Sequence, residues 1–370
     1  MYGCRGVLLV VLSVVSLSFL YNEYLTYFVN IYVTCSWPVS PSGQEETRVI
    51  LLTDIHLLGP RRGHWFDKLR REWQMYRSFQ SAISLMHPHA VFFLGDLFDE
   101  STISTQQDLV NYINRFNELF YVPEDVQRHC ILGNHDIGFH DEINPARLQF
   151  LSQHFSRSFA DHIVVGGNHF VLLNSMTVER DGCPFCTATE YQIEDLSRTF
   201  NCTGDVKACN MNSRPILLLH IPLYRKSDAR CPEDYDAAPE SMKSQVFHVG
   251  VDCLSNASSH YILEKLKPRA VFDGHAHYSC KTWWPPYSMY EWTLSSFSWR
   301  NIPQPAFLLA TITPHDIQVN KCFLPNEKTV IGSYVATVLG LVIFLAYCLV
   351  SHLRYRQSYS SYQVVAEKCD

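Results

Sequence analysis

No run of lysine or arginine lies between the two long apolar stretches of this chain, and its 370 residues carry a net charge of only −6. Both facts argue against nucleic acid as a partner. No internal repeat is visible, and residues 329–350 contain no charged side chain at all. An uncharged apolar run of that size matches the ~20 residues a helix needs to cross a bilayer. The other stretch, residues 7–20, continues more weakly through 24–33 with Asn22 and Glu23 between. It is longer than a secretory apolar region of ~7–15 residues and reads as an uncleaved signal anchor.

Arg5 precedes the first span, and His352, Arg354 and Arg356 come after the second, which predicts that both termini are cytosolic and the middle lumenal. The expected organisation is a cytosolic N-terminus and first anchor (1–34), a Pro/Ser-rich linker (35–48), a lumenal catalytic domain (49–324), a second membrane helix (329–350) and a cytosolic tail (351–370). The Ser/Tyr-rich end of that tail, residues 357–365, is expected to be disordered. Two sequons, Asn201-Cys202-Thr203 and Asn256-Ala257-Ser258, make Asn201 and Asn256 candidate glycosylation sites. Nine of the thirteen cysteines fall in the expected catalytic domain, residues 49–324: Cys130, Cys183, Cys186, Cys202, Cys209, Cys231, Cys253, Cys280 and Cys322. An oxidising lumen permits several disulfides among them, and an odd number leaves at least one thiol free or paired to another chain. Cys183-Pro184-Phe185-Cys186 has redox spacing but lacks a thioredoxin-like strand order around it, so it is expected to staple a loop.

What the middle does contain is five short groups of metal-binding residues: Asp54-Ile55-His56, Gly95-Asp96-Leu97-Phe98-Asp99, Gly133-Asn134-His135-Asp136, His220, and Gly274-His275-Ala276-His277. An apolar, β-rich run precedes each of them (49–53, 90–94, 129–132, 215–219 and 270–273), which places the groups at the ends of buried strands along one rim. Further strands are expected at 169–174 and 306–313, and helices at 66–86, 104–119 and 147–159. This order predicts an α/β fold of two packed sheets with outer helices.

Imidazole and carboxylate ligands mixed with one Asn suit Mn²⁺, Zn²⁺ or Fe better than Mg²⁺ or Ca²⁺. The expected first site is Asp54, His56 and His277, and the second is Asn134, His220 and His275, with Asp96 shared by both. Two such ions activate water and stabilise phosphate oxygens as charge builds on them. His135, beside a ligand without being one, is the candidate proton donor to the leaving group. Asp99 is the candidate to orient His135, which predicts that Asp99→Asn lowers turnover with little loss of metal. Arg61, Arg62, Trp65, Trp283 and Trp284 come soon after the first and last motifs and are candidate substrate-binding residues, since aromatic faces stack on sugars and attract cations.

The five groups resemble the calcineurin-like metallophosphoesterase superfamily pattern D-x-H, G-D-x-x-D, G-N-H-D/E, a lone H, then G-H-x-H, from residue 49 to about 313. The resemblance implies a four-layer α/β/β/α sandwich, here flanked by two transmembrane helices. Within that superfamily, the strings LLTDIHLLGPRRGHWFDKLRREWQM and FFLGDLFDE and the membrane-anchored layout resemble a branch that remodels GPI glycans. That likeness implies a Mn²⁺-dependent phosphodiesterase removing the side-chain ethanolamine phosphate from the second mannose of GPI anchors. Its substrates would be GPI-anchored proteins moving from ER exit sites to the Golgi, with ER-export cargo-receptor machinery as possible partners. Two other readings use the same motifs: a lumenal two-metal phosphoesterase for nucleotides, lipid head groups or phosphoproteins, and a non-catalytic receptor that binds phosphorylated GPI cargo. Retention of His135 and Asp99 beside a full ligand set speaks against the receptor.

Overall fold

The computed structural model describes residues 4–41, 43, 45–155, 158–201 and 213–366, and divides them into two units. The first unit holds the terminal helices up to residue 29 and from residue 325 onward. Here α1 (Cys4–Leu20) passes through a π-turn at Tyr21–Leu25 into α2 (Thr26–Thr34). In the larger unit, β1 (Thr47–Leu52), α3 (Trp65–Met86), β2 (Ala90–Leu94), α4 (Gln106–Leu119) and β3 (Gln127–Ile131) alternate. Next come the single turn α5 (Asn134–Ile137), α6 (Pro145–Ser152), the hairpin β4 (Ala160–Val165) and β5 (Asn168–Leu173), α7 (Pro184–Phe200) and β6 (Ile216–Leu218). The unit continues with α8 (Glu240–Lys243), α9 (Asn256–Leu266), β7 (Ala270–Asp273), β8 (Cys280–Trp284), β9 (Met289–Thr293), β10 (Ala306–Ile312) and β11 (Ile317–Phe323). Last is α10 (Glu327–Ala366), which belongs with the terminal helices.

One sheet runs β11-β10-β1-β2-β3 and the other β4-β5-β6-β7-β9-β8. Strands β1, β2 and β3 are parallel, as are β5, β6, β7 and β9, while β10, β11, β4 and β8 add antiparallel edges. Parallel strands buried on both faces read as continuous apolar runs, as β2 and β6 do here, rather than as alternating ones. The period of two still sorts them. Val49, Leu51, Phe92 and Leu94 pack with Phe170, Leu172, Ile216, Leu218 and Phe272 into a core between the sheets. Ile50, Leu52, Val91 and Phe93 point the other way and join Met75, Phe79 and Phe116 of α3 and α4. Leu217 and Val271 do the same for Ile193, Ile262 and Leu263 of α7 and α9. Two cores of opposite parity define the α/β/β/α order of layers.

Several sequence expectations need correction. The linker is not a free tether: Trp37 Nε1 donates to the Met86 carbonyl (2.8 Å), Asn320 Nδ2 donates to the Ser36 carbonyl (3.1 Å), and Cys35 is disulfide-bonded to Cys322. That bond also changes the cysteine count. With Cys183–Cys186 and Cys231–Cys280 also paired, two buried thiols of the larger unit, Cys130 and Cys253, are free among the described residues, while Cys202 and Cys209 lie outside them. The helix expected at 147–159 starts at Pro145 and stops at Ser152, because the chain must leave it to enter β4. The tail segment expected to be disordered continues α10 as far as Ala366.

Among the terminal helices, 5–34 and 327–357 are long and apolar enough to cross a membrane. Their few polar groups meet each other. Ser333 Oγ donates to Asn22 Oδ1 (2.6 Å), the Tyr334 hydroxyl donates to Glu23 Oε1 (2.5 Å), and Ser18 and Thr337 hydroxyls share a hydrogen bond (3.0 Å). Pairing polar side chains between apolar helices is how membrane helices satisfy groups that lipid cannot.

Candidate metal centre

All five motif groups come together where the C-terminal ends of β1, β2 and β3 face those of β6 and β7. The loops after β1 and β2 run side by side: Asp54 N–H donates to the Gly95 carbonyl (3.1 Å), His56 N–H to Asp96 (3.0 Å) and Leu57 N–H to Leu97 (3.0 Å). Gly274 N–H donates to the His220 carbonyl (2.9 Å), so the loops after β6 and β7 are joined the same way. Asp54 then links the sheets, because its Oδ2 accepts from His275 N–H (2.9 Å).

Two clusters overlap at Asp96, each with its donor atoms within 4.8 Å of one another: Asp54, His56, Asp96 and His277 in one, and Asp96, His220 and His275 in the other, while His56 also groups with Asp99 and His135. Asp96 belongs to both, its Oδ2 lying 3.4 Å from His56 Nε2 and its Oδ1 3.3 Å from His220 Nε2. Asn134 joins the second through Oδ1, 3.1 Å from His220 Nε2. Hydrogen bonds behind the ring set which imidazole nitrogen faces inward. His220 Nδ1 donates to the Leu94 carbonyl (2.7 Å) and turns Nε2 inward; His275 Nε2 donates to the Val251 carbonyl (2.8 Å) and turns Nδ1 inward.

These residues fit a pair of divalent ions. His275 Nδ1 and Asp54 Oδ1 are buried with no hydrogen-bond partner, which is costly unless a ligand takes them. The backbone carries strain as well. Asp54 (φ 53°), His56 (φ 44°), Asp96 (φ 50°), His275 (φ 68°) and His277 (φ 62°) are all left-handed, each at a cost of about 1–3 kcal/mol. Five strained residues at one spot are held because the strain aims their side chains at common points. Two glycines make room: a Cβ on Gly133 would collide with the Asp96 carboxylate, and one on Gly95, itself left-handed at φ 100°, with the His220 ring.

Burial would raise the Asp54 carboxyl, but the adjoining His56 imidazole and the His277 and His220 charges hold it at about 2. Asp96 also lies well below its usual range, because the His220 and His56 charges outweigh its burial. The carboxylates act reciprocally: against the effect of burial, Asp54 and Asp99 lift His56 to about 10, and Asp96 lifts His220 to about 9. Both lie above the ordinary value of 6.5, so in the metal-free chain their ion pairs stabilise fully below that pH and are lost as pH rises through 9 and 10. Each ion must displace one of these protons. Apparent metal affinity should therefore fall by up to ~tenfold per unit drop in pH, with about one proton released per ion. Titration calorimetry in buffers of different ionisation enthalpy checks this, and binding without proton release between pH 6 and 8 would count against it.

The structure corrects the role expected of Asp99. Its carboxylate lies 3.3 Å from His56 Nδ1, whereas His135 Nδ1 donates to the Asp99 backbone carbonyl (3.0 Å). Asp99 thus orients His135 through its main chain and backs a metal-binding ring through its side chain. Asp99→Asn should accordingly lower affinity at the Asp54/His56/His277 site by about 10–100-fold, opposite to the expectation from sequence. Competition with a chelator reads this directly.

Of the candidate substrate residues, Arg62 reaches the rim, its guanidinium 3.9 Å from the Asp99 carboxylate. Arg61 turns away to Glu100 and Asp108. Trp65 is two-thirds exposed at the start of α3, against His64 and Phe66. Trp283 packs on Tyr290, and Trp284 Nε1 donates to buried Glu291 (2.8 Å), so the described contacts of both lie outside the metal clusters. The cause is strand direction: β8 carries both indoles along the sheet edge away from His277. Asn256 is exposed at the first turn of α9. Asn201 ends α7, its Nδ2 donating to the Ser197 carbonyl (2.8 Å), and the rest of its sequon lies outside the described residues.

Sequence reasoning missed Arg300, Asp136 and Ser175. Arg300 stands 3.5 Å from the Asp99 carboxylate and adds a second guanidinium to the rim. Buried Asp136 accepts from the N–H groups of Leu97 (3.2 Å), Phe98 (2.9 Å) and Gly133 (2.8 Å), clamping two motif loops together. Burial and the Asp96 charge raise its carboxyl to about 7. Ser175 Oγ accepts from the His220 and Ile221 N–H groups (3.3 and 2.9 Å). Asp136 was legible as part of its tetrapeptide; Arg300 and Ser175 stand in no motif.

Comparison with known proteins agrees with this geometry. The family model described as calcineurin-like phosphoesterase matches residues 47–279. Metallophosphoesterase 1 of Danio rerio is 38% identical over 353 residues, covering 92% of this chain and 91% of that one. The Pongo abelii protein of the same name is 39% identical over 365 residues, covering 93% and 89%.

Proposed function

Because the chain belongs to the calcineurin-like phosphoesterase family and is a metal-dependent phosphoesterase, we propose that it is a phosphodiesterase removing the side-chain ethanolamine phosphate from the second mannose of GPI anchors. The observation carrying this reading is that one chain combines a complete two-metal ligand set with apolar helices at both of its ends. A membrane tether restricts a catalytic unit to substrates on that membrane, and a GPI glycan is a phosphodiester held there by its lipid. The likeness to a GPI-remodelling branch, read from the strings after β1 and around β2, supports the substrate. On this reading the catalytic unit is lumenal in early secretory membranes, Asn201 and Asn256 are glycosylation sites, and Mn²⁺ is the working ion.

When bound, the ions supply a polarised water and positive charge for the phosphate oxygens. The chain does the rest. His135 Nδ1 is occupied by the Asp99 carbonyl, leaving Nε2 as the nitrogen that hands a proton to the departing sugar oxygen. Arg62 and Arg300 extend the positive rim toward the substrate. Mass spectrometry of GPI glycans tests the proposal in cells lacking the protein and rescued with wild type or Asp96→Ala. Wild type should clear ethanolamine phosphate from the second mannose and the variant should leave it. Equal clearance by both would favour the receptor reading, and clearance by neither another phosphoester substrate.

A further inference from the structure

Apart from the metal centre, the larger unit gathers a second reactive group: His140, Asp181, Cys183 and Cys186, with donor atoms within 4.8 Å of one another. Cys183 is the N-cap of α7, its Sγ accepting from the Cys186 N–H (3.0 Å), and it is paired to Cys186. The two sulfurs differ in surroundings. Cys186 is fully buried, while Cys183 is partly exposed. His140 stands against the buried one, Nδ1 3.8 Å from Cys186 Sγ.

Both nitrogens of His140 face acceptors: Nε2 the Asp181 carboxylate (2.6 Å) and Nδ1 the Met176 carbonyl (3.2 Å). A ring between two acceptors holds two protons and is a cation. Burial alone would push the group down, but Asp181 and the Met176 carbonyl raise it above the ordinary value. Asp181 also accepts from Cys183 N–H (3.2 Å), so one carboxylate positions both the imidazolium and the exposed half of the disulfide.

We propose that Cys183–Cys186 is a thiol–disulfide exchange site, reacting with glutathione-class thiols at Cys183 and releasing Cys186 as the leaving sulfur. An incoming thiolate forms a bond to Cys183 Sγ as the Cys183–Cys186 bond breaks, and the electron pair moves onto Cys186 Sγ. That thiolate takes a proton from His140 Nδ1. A second thiolate then displaces Cys183 from the mixed disulfide, so two external thiols become one disulfide and the pair gains two electrons and two protons. A neighbouring cation favours this because a lower thiol pKa makes a better leaving group, and exposure decides which sulfur is attacked. A staple serving only to start α7 needs neither the cation nor the asymmetry.

The test uses the full chain in detergent, equilibrated with glutathione buffers of graded ratio and read by differential alkylation and mass spectrometry. Cys183–Cys186 should become reduced while Cys35–Cys322 and Cys231–Cys280 remain oxidised. The Cys186→Ser chain should capture glutathione on Cys183, and Cys183→Ser should capture none on Cys186. His140→Gln, which keeps a donor but loses the cation, should slow exchange at least roughly tenfold with unchanged thermal melting. Reduction of all three bonds together, capture on Cys186, or wild-type exchange in His140→Gln would each overturn the proposal.

Discussion

Asp96→Ala should lower hydrolysis of a small phosphodiester such as bis(p-nitrophenyl) phosphate by at least about a thousandfold, since removing even one preorganised charge partner from an active site costs ~10²–10³. Asp96 is shared between both metal clusters and also accepts the His135 backbone N–H through Oδ1 (2.9 Å). Its loss therefore withdraws a ligand from each ion and frees the loop that carries the proton donor. It also leaves His56 and His220, both buried, without their common counter-charge. Metal content should drop from two ions per chain, and Asp96→Asn, which keeps the shape and loses the charge, should fail nearly as badly. Full activity in Asp96→Asn would mean that the shared carboxylate is a spacer.

The second large effect separates chemistry from metal binding. His135→Ala should reduce kcat by about 10²–10⁴-fold, the range for losing a general acid, while both ions stay bound. His135 packs edge-on to His56 with ring centroids 4.7 Å apart and groups with His56 and Asp99 rather than with the four donors of the first cluster. The sharpest readout is leaving-group dependence. A diester losing p-nitrophenolate needs no proton and should tolerate His135→Ala, whereas an alkyl diester should not. Equal damage to both substrates, or loss of a metal ion, would assign His135 to the metal site.

Which of these features the sequence reveals depends on the kind of interaction involved. The gathering of the motif residues was legible because each group sits after a buried parallel strand, where continuous apolar runs such as residues 90–94 are unambiguous and the strand end fixes the direction of the next few residues. The structure brings Asp54, His56, Asp96 and His277 together on one side of the centre, and Asp96, Asn134, His220 and His275 on the other. Features that depend on rotation within a loop were not legible. Asp99 precedes Glu100 in a turn whose backbone meets His135 and whose side chain meets His56, and spacing carries no record of that division. Trp283 and Trp284 looked close to His277 in sequence, but β8 leads along a sheet edge. The antiparallel edge strands β4, β8 and β11 were missed for a related reason: edge strands are half exposed, as in Ile317–Phe323, and lack the apolar run that marks a central one.

The most direct measurement of the central claim is anomalous diffraction from crystals of the full chain grown with Mn²⁺. Two peaks ~3.5–4 Å apart, with Asp96 bridging them, Asp54, His56 and His277 at one, and Asn134, His220 and His275 at the other, are the predicted result. A single peak, or two that do not share Asp96, would contradict it.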